Sequence, residues 1–237
     1  MLAIPIRDDT PIRRPPVVTW ALIVACASVF LWQASLPSRV ADRISLEFGM
    51  IPAVLFGETQ LPVRLRVVPA WLTPVTSMFL HGGWLHVLGN MWFLWIFGDN
   101  IEDILGHEKY LIFYLLCGVA AALSQVMLNV DSRVPMVGAS GAIAGVMGAN
   151  LVNFPQSRIV TLSFFIFIAF IDVPAWAMLI YWFAIQFFSG IGSIGHTTAS
   201  DGGTAFFAHV GGFITGIVLI KVMGTRERYS QRRDLYW

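Results

Sequence analysis

The stretch VGASGAIAGVMGA, residues 137–149, sets one serine among small residues at the start of an apolar segment. A glycine in a helix interior costs about 1 kcal/mol relative to alanine, so four glycines here require a compensating gain. On a helical wheel one continuous arc of small side chains is formed by Ser140, Ala144, Gly148, Gly141 and Gly145. Such an arc lets a second helix approach closely inside a membrane. The stretch therefore predicts a tightly packed helix with Ser140 near its beginning.

The composition is typical of a membrane protein. Of the 237 residues, 57% are hydrophobic and 12% are charged, and the mean hydropathy is +0.71. A soluble domain is about a quarter charged, so this chain has too few charges to cover a water-facing surface. The net charge of +1 is too small to indicate a nucleic-acid partner. Cys26 and Cys117 both lie in apolar segments, which disfavours a disulfide or a metal site.

Apolar stretches close to the 20 or so residues that cross a bilayer recur along the chain. The six predicted spans are residues 17–33, 84–103, 110–128, 137–154, 174–190 and 205–223. Arg13 and Arg14 before the first span could mark a secretion signal, but no convincing small-x-small cleavage site follows, so we expect a retained span. Residues 159–171 are also apolar but few, and Asp172 and Pro174 follow them. We interpret them as an interfacial or re-entrant piece, with a seventh span as the alternative.

Positive residues cluster at both ends of the chain and predict its topology. Because Lys and Arg favour the cytoplasmic side, both termini are expected inside, which requires an even number of spans. The prediction is a cytoplasmic segment (1–16), an all-α, six-helix integral membrane domain (17–223) and a cytoplasmic tail (224–237). The long first loop, residues 35–83, is then outside, and its alternating apolar and charged residues predict that it folds against the membrane surface. A bacterial inner membrane is the expected location.

This topology places four polar side chains at a similar depth, a little below the outer surface. Ser140 begins the fourth span, His209 lies near the outer end of the sixth, and His86 and Asn90 lie near the outer end of the second. No other polar residues of the predicted spans converge in this way. An ionisable residue inside a span is costly and is a candidate for function.

The sixth span carries a second face of small residues, in AHVGGFITG. Gly212 and Gly216 follow His209 by three and seven residues and therefore share its helical face. Close packing of the two glycine faces would bring the Ser140 hydroxyl within hydrogen-bond reach of the His209 ring. A serine hydroxyl becomes an effective nucleophile when an adjacent base takes its proton. For a serine alone, the alternative is a bond back to its own helix.

The second span begins within HGGWLHVLGN, residues 81–90, whose His86 and Asn90 are four residues apart on one face. Their N–H groups are donors that could stabilise the oxyanion of a tetrahedral intermediate. The alternative is a water-bonded polar pair near the outer surface. His81 and His86 are five residues apart without the carboxylate of an H-E-x-x-H motif, so no metal site is predicted.

The three motifs together resemble the rhomboid family of intramembrane serine proteases. GASGAIAG contains the G-x-S-G pattern of Gly138, Ser140 and Gly141, with HGGWLHVLGN upstream and AHVGGFITG downstream. The similarity extends from about the first loop to the sixth span. It implies a six-helix bundle in which Ser140 is the nucleophile and His209 the general base, supported by the two glycines of the pattern.

The same resemblance implies roles for the remaining polar residues. His86, Asn90 and the backbone N–H of the nucleophile would form the oxyanion hole, and His81 would help to order the first loop. Gly212 and Gly216 would allow the helices of the dyad to touch. Some rhomboids stack an aromatic side chain on the histidine from four residues after the serine. Here Ala144 occupies that position, so another group must hold His209.

Three further expectations concern the region around the site. Asp201 lies in a loop rich in glycine and serine and is expected to be solvated rather than a third catalytic member. The loop of residues 189–203 has the composition of a flexible lid. The fifth span is bulky on several faces and has no small-residue arc, so we expect it to pack loosely and to serve as a lateral gate.

The sequence therefore predicts an intramembrane serine endopeptidase that cuts transmembrane or juxtamembrane segments of membrane proteins near their outer ends. No metal or organic cofactor is implied, and the expected partners are transmembrane substrates and the lipid bilayer. The alternative is a non-catalytic scaffold or chaperone that holds transmembrane clients, which would not need Ser140 and His209 together. A transporter is disfavoured because the polar residues do not line a path to the inner face.

Overall fold

The computed structural model describes residues 2–164, 168–193 and 205–224, and this part of the chain is mostly helical. In chain order its elements are β1 (Leu2–Asp8), α1 (Val17–Ala34), α2 (Ser38–Phe48), α3 (Pro52–Leu55), α4 (Thr73–Thr76), α5 (Trp84–Leu105), α6 (His107–Leu128), α7 (Ser140–Asn153), β2 (Arg158–Phe164), β3 (Ile168–Pro174), α8 (Ala175–Ser193) and α9 (Phe206–Met223). Short 3₁₀ turns at Val63–Leu65, Ala70–Leu72 and Ser77–Phe79 complete the first loop.

A helix lies at each of the six positions predicted for a span. By length and composition, four of them could cross a membrane: Val17–Ala34, His107–Leu128, Ala175–Gly192 and Phe206–Met223. The fifth candidate, α5, carries Asp99, Glu102 and Asp103 in its C-terminal half. The sixth, α7, has 14 residues and is therefore roughly 21 Å long, shorter than the hydrocarbon core of about 30 Å. A six-span topology stays a prediction.

A three-stranded antiparallel sheet, in the order β1-β2-β3, corrects the prediction of an all-α protein. Residues 159–164 belong to β2 and residues 168–171 to β3, so these parts of the apolar stretch do not form the helix that a seventh span would need. The stretch is rich in the β-branched and aromatic residues that favour strands. Its other neighbour, β1, comes from the N-terminal segment and pairs with residues 159–164. The Trp92 side chain donates to the Pro5 carbonyl at 2.6 Å and holds β1 against α5.

The first loop is folded and is tied to the chain just before α7. Met50 and Met136 exchange two backbone hydrogen bonds of 3.0 and 2.7 Å. The Gly138 N–H donates to the Ser77 carbonyl at 2.9 Å, and the Thr76 hydroxyl donates to the Phe48 carbonyl at 2.6 Å. These bonds fix the segment that leads into Ser140. That the loop lies against a membrane surface stays a prediction.

The short helix α7 forms the centre of the molecule. Ten of its 14 residues are buried, and α5, α6, α8 and α9 all contact it. Its contact with α9 is made backbone to backbone, because a Cβ atom on Gly212 would overlap the Gly141 carbonyl oxygen and one on Gly216 would overlap that of Gly145. The two predicted glycine faces therefore meet, as small residues allow helices to do.

A buried carboxylate joins the N-terminus of α1 to the C-terminal end of α5. Glu102 is 1% exposed and accepts hydrogen bonds of 2.8 Å from the Val18 and Thr19 N–H groups. It also accepts from the Thr19 hydroxyl at 2.7 Å and lies 2.6 Å from the His107 Nδ1. A carboxylate at a helix N-terminus satisfies its unpaired N–H groups and complements its dipole. Glu102 thus fixes where α1 begins relative to α5.

Candidate active site

Ser140 and His209 meet across the interface of α7 and α9. The Ser140 Oγ lies 2.7 Å from the His209 Nε2, within hydrogen-bond distance. Ser140 is the first residue of α7 and is half-buried, whereas His209 is 8% exposed and lies in the first turn of α9. The close contact between the glycine faces holds the backbones of α7 and α9 next to each other. It thereby sets the distance between Ser140 and His209. The structure therefore brings the two side chains together, in the pairing that nucleophilic catalysis requires.

Two residues of α8 that the sequence analysis did not single out contact the other side of the His209 ring. The His209 Nδ1 lies 2.7 Å from the Gln186 Oε1. The rings of Trp182 and His209 have centroids 5.7 Å apart and planes inclined by 39°. Trp182 therefore supplies, from another helix, the aromatic neighbour that Ala144 does not provide. The available signal was a glutamine inside an apolar helix, four residues after a tryptophan and so on the same face.

His86 and Asn90 lie beside the backbone that precedes the serine. Gly138 has φ +126°, a conformation that side chains disfavour. A Cβ atom there would lie 2.7 Å from the His86 Nε2 and 3.8 Å from the Asn90 Nδ2. Within the described ranges, the Asn90 Nδ2 is buried without a hydrogen-bond partner. The absence of a side chain on Gly138 thus keeps open the space toward which both nitrogens converge.

The chemical state of these groups suits hydrogen-bond donation. The Gly82 N–H lies 3.4 Å from the His86 Nδ1, and a neutral ring that accepts at Nδ1 carries its proton on Nε2. Ser140, as the first residue of α7, has an N–H without an intrahelical acceptor. The positive end of the helix dipole lies at the same place. Three N–H donors therefore lie near the start of α7, and their action as an oxyanion hole stays a prediction.

His81 connects the first loop to this cluster. It is 3% exposed, and its N–H donates to the Gln33 Oε1 of α1 at 3.3 Å. Its ring stands edge-on to that of His86, with centroids 5.2 Å apart. Burial, together with the nearby His86, lowers the pKa of His81 to about 4. These contacts are those expected of a residue that orders the loop, although its role in ordering stays a prediction.

A cavity of about 920 Å³ opens over the candidate site. Its polar lining includes His86, Ser140 and His209, and the N-terminal turn of α7 forms one wall. Apolar side chains from the first loop, α6 and the segment before α7 contribute the rest, among them Met50, Met78, Ala121, Ala122 and Met136. A cavity with a few convergent polar groups in an apolar lining is typical of a ligand site.

Two sequence expectations fall wholly or largely outside the described residues, namely Asp201 and the loop of residues 189–203, of which 189–193 belong to α8. The cytoplasmic tail, except for residue 224, lies outside them as well. Within the described ranges, no group of three or more His, Cys, Asp or Glu side chains could hold a metal ion. Cys26 and Cys117 are buried free thiols.

Comparison with known proteins identifies the family of the chain. A family model described as the Rhomboid domain matches residues 69–226. RHOMBOID-like protein 6, mitochondrial, of Arabidopsis thaliana is 30% identical over 168 residues, which are 68% of this chain and 47% of that protein. Rhomboid-like protein 11, chloroplastic, of the same plant is 37% identical over 84 residues, 35% of this chain and 30% of that protein.

A human relative matches a similar portion of the chain. Presenilin-associated rhomboid-like protein, mitochondrial, of Homo sapiens is 38% identical over 97 residues, 39% of this chain and 26% of that protein. The matched segments thus span between about a quarter and a half of these three relatives. The family model, however, extends over more than half of this chain, from the end of the first loop through α9. The protein belongs to the rhomboid family.

Proposed function

We propose that the protein is an intramembrane serine endopeptidase that cleaves transmembrane or juxtamembrane segments of other membrane proteins. The observation that carries the proposal is the 2.7 Å separation of the Ser140 Oγ and the His209 Nε2. The pair lies in the wall of a cavity, at the end of a helix with free N–H donors. A protein that only packs helices together has no need of these three features at one point.

The mechanism follows from the arrangement of the groups. His209 accepts the Ser140 proton at Nε2 while the Oγ attacks the carbonyl carbon of the peptide bond. The oxyanion receives hydrogen bonds from the Ser140 N–H, the His86 Nε2–H and the Asn90 Nδ2–H. His209 then gives the proton to the leaving amine as the carbon–nitrogen bond breaks, and water, activated by the same ring, hydrolyses the acyl-enzyme.

The proposed setting is a lipid bilayer with both termini on the cytoplasmic side. The four apolar helices support a membrane location. The dyad lies at the beginning of α7 and α9, so in this orientation it faces the outer leaflet. Substrates are then cut near their outer ends. The names of the relatives above refer to mitochondria and chloroplasts, whereas a bacterial inner membrane stays our prediction for this chain.

The decisive experiment is covalent labelling of the purified protein in detergent. A fluorophosphonate probe should modify Ser140, and the adduct is located by peptide mass spectrometry. Labelling and cleavage of a model transmembrane substrate should both be lost in Ser140→Ala and in His209→Ala. Ser124→Ala is the matched control, because the Ser124 hydroxyl donates to the Ala120 carbonyl of its own helix at 2.8 Å.

The outcomes separate the candidate functions. A stable complex with a transmembrane client, with no probe adduct and no cleavage, would indicate a scaffold or chaperone instead. Cleavage that persists in Ser140→Ala would exclude this residue as the nucleophile. The double variant should be no less active than either single variant, because a nucleophile and its base act as a unit.

A further inference from the structure

The ring of His209 is held between two helices that differ in how firmly they are packed. On one side is Ser140 of α7, whose backbone is interlocked with that of α9 through Gly212 and Gly216. On the other side are Gln186 and Trp182 of α8. Of the four apolar helices, α8 is the least enclosed, with 17% of its residues buried.

The contact between His209 and Gln186 bears on which nitrogen of the ring carries the proton. A neutral imidazole has one donor nitrogen and one acceptor nitrogen. Paired with the Gln186 Oε1, an acceptor that lies 2.7 Å away, the Nδ1 donates its proton and the Nε2 is left free to accept. Acceptance at Nε2 is what removes the proton from Ser140. If the ring were protonated on Nε2 instead, it would donate to the hydroxyl and could not act as its base.

We propose that Gln186 is the positioning residue that keeps His209 in its Nδ1–H form, and that it does so only while α8 is seated against α9. This role rests on the proposed function, since a tautomer matters for the reaction only if His209 is the base. Gln186 contacts the Nδ1 of His209, whereas Ser140 contacts the Nε2, so Gln186 acts through the ring. Trp182, four residues earlier on the same face, restricts the ring from its flank.

The contact of α8 with α9 is made by aromatic side chains and not by closely packed backbones. The ring centroids of Phe183 and Phe213 are 4.9 Å apart, and those of Trp182 and Phe213 are 6.2 Å apart. Side-chain contacts of this kind can separate without disturbing the glycine contact between α7 and α9. Displacement of α8 would therefore leave Ser140 beside His209 but would release the Nδ1–H from its acceptor.

The tautomer can be measured in the resting protein, independently of any activity. The protein is labelled with ¹⁵N-histidine in detergent, and the signals of His209 are identified by their absence from His209→Gln. Wild type should show a protonated Nδ1 and an unprotonated Nε2. In Gln186→Leu this preference should be lost, with the Nε2–H form populated. Retention of the wild-type pattern in Gln186→Leu would overturn the proposal, even if the protein is shown to be a protease.

A matched control exists on another helix that contacts α9. The Gln125 Oε1 of α6 accepts from the Ala208 N–H at 3.2 Å, so Gln125→Leu removes a glutamine bond to the backbone next to His209 without touching the ring. Gln125→Leu should leave the tautomer of His209 unchanged. An equal loss in both leucine variants would mean that the tautomer depends on the general placement of α9 and would refute the specific role of Gln186.

Kinetics provide the second test. Gln186→Leu should lower kcat by about tenfold to a hundredfold with little change in KM, since general-base assistance is lost while substrate binding is kept. Gln186→Glu keeps an acceptor of the same shape and should restore turnover. Its negative charge favours the protonated ring, so the acidic limb of the pH profile should move to higher pH. Unchanged kcat in Gln186→Leu, or an unmoved limb in Gln186→Glu, would overturn the role.

Discussion

At the scale of single residues, the start of α7 determines which groups Ser140 can supply to the proposed reaction. As the first helical residue it presents both a hydroxyl to His209 and a backbone N–H that has no partner within the helix. A serine one turn later would retain the hydroxyl, but its N–H would be bonded inside α7. The position of the helix start is thus as important to the proposed chemistry as the identity of the residue.

Asn90→Ala should lower kcat by about tenfold to a hundredfold while KM changes little. One of three proposed oxyanion donors is lost, and a donor of this kind acts only when the oxyanion has formed. Steady-state cleavage of a model substrate gives both constants. Asn153→Ala is the matched control, because the Asn153 Nδ2 donates to the Ala149 carbonyl at 2.9 Å, away from the site. A rise in KM at constant kcat would place Asn90 in a docking surface.

His81 should make the protein less stable in acid. Burial lowers the pKa of the folded His81 to about 4, from an ordinary value of 6.5, so the unfolded chain binds this proton more readily than the folded one. The contribution of the neutral ring is complete above about pH 6.5 and is lost as the pH falls toward 4. Thermal unfolding at pH 7 and pH 4.5 should show a smaller acid-induced decrease in Tm for His81→Phe than for wild type. Equal decreases would contradict this account.

At the scale of elements, hydropathy was sufficient to predict the positions of the long helices but not those of the strands. The predicted first span, residues 17–33, is observed as Val17–Ala34, and the second, 84–103, as Trp84–Leu105. Residues 168–171 of β3 are all apolar and show no alternation. In β2, Thr161 and Ser163 do alternate with Val160, Leu162 and Phe164, which is a strand period of two that a search for long apolar segments does not detect. Their pairing with β1 also joins residues more than 150 positions apart, a contact that no local pattern contains.

The candidate site shows the same division. The sequence was sufficient to propose four of the site residues, because each lies in a short motif whose helical spacing indicates a chemical role. They are Ser140, His209, His86 and Asn90. Gln186 could not be assigned, since its importance depends on how α8 is rotated and on which side of α9 it packs. Its contact with His209 is a tertiary fact, and the sequence offers only a polar residue in an apolar helix.

The contact between α7 and α9 predicts opposite effects for two glycine-to-alanine substitutions. Gly212→Ala should destabilise the protein by about 1 to 3 kcal/mol, as overpacking does, and should lower activity because α7 and α9 are forced apart. Gly89→Ala on α5 should be neutral or stabilising by up to about 1 kcal/mol through helix propensity, since no atom lies within 4 Å of its added Cβ. Thermal unfolding of both variants provides the comparison. If Gly212→Ala melts like Gly89→Ala, the backbone contact is not limiting.

At the scale of the whole molecule, the distribution of charge predicts the orientation. Reporter fusions after Met223 should be cytoplasmic, and fusions within residues 35–71 should be on the outer side, because arginines flank the first and last apolar helices. Alkaline phosphatase and green fluorescent protein report the two sides of a bacterial membrane. A C-terminal fusion on the outer side would mean that α5 or α7 does not count as a crossing.

The short, enclosed α7 also determines how the bilayer can influence the chemistry. Hydrophobic mismatch acts on helices that face lipid, which tilt when the membrane is thinner or thicker than they are. Ten of the 14 residues of α7 are buried, so this helix is shielded from that strain. Its backbone contact with α9 keeps the two helices together at the dyad. The exposed α8 is not shielded, and its Gln186 contacts His209. A change in membrane thickness should therefore affect His209 through α8.

Vesicles of graded acyl-chain length measure this coupling. The rate at which a fluorophosphonate labels Ser140 should vary with chain length in the wild-type protein and should be nearly independent of it in Gln186→Leu. An equal dependence in both would show that thickness acts on the dyad by another route. If the expected result is obtained, the lipid composition of the host membrane sets the reactivity of the protease. No ligand and no change in the nucleophile itself are needed.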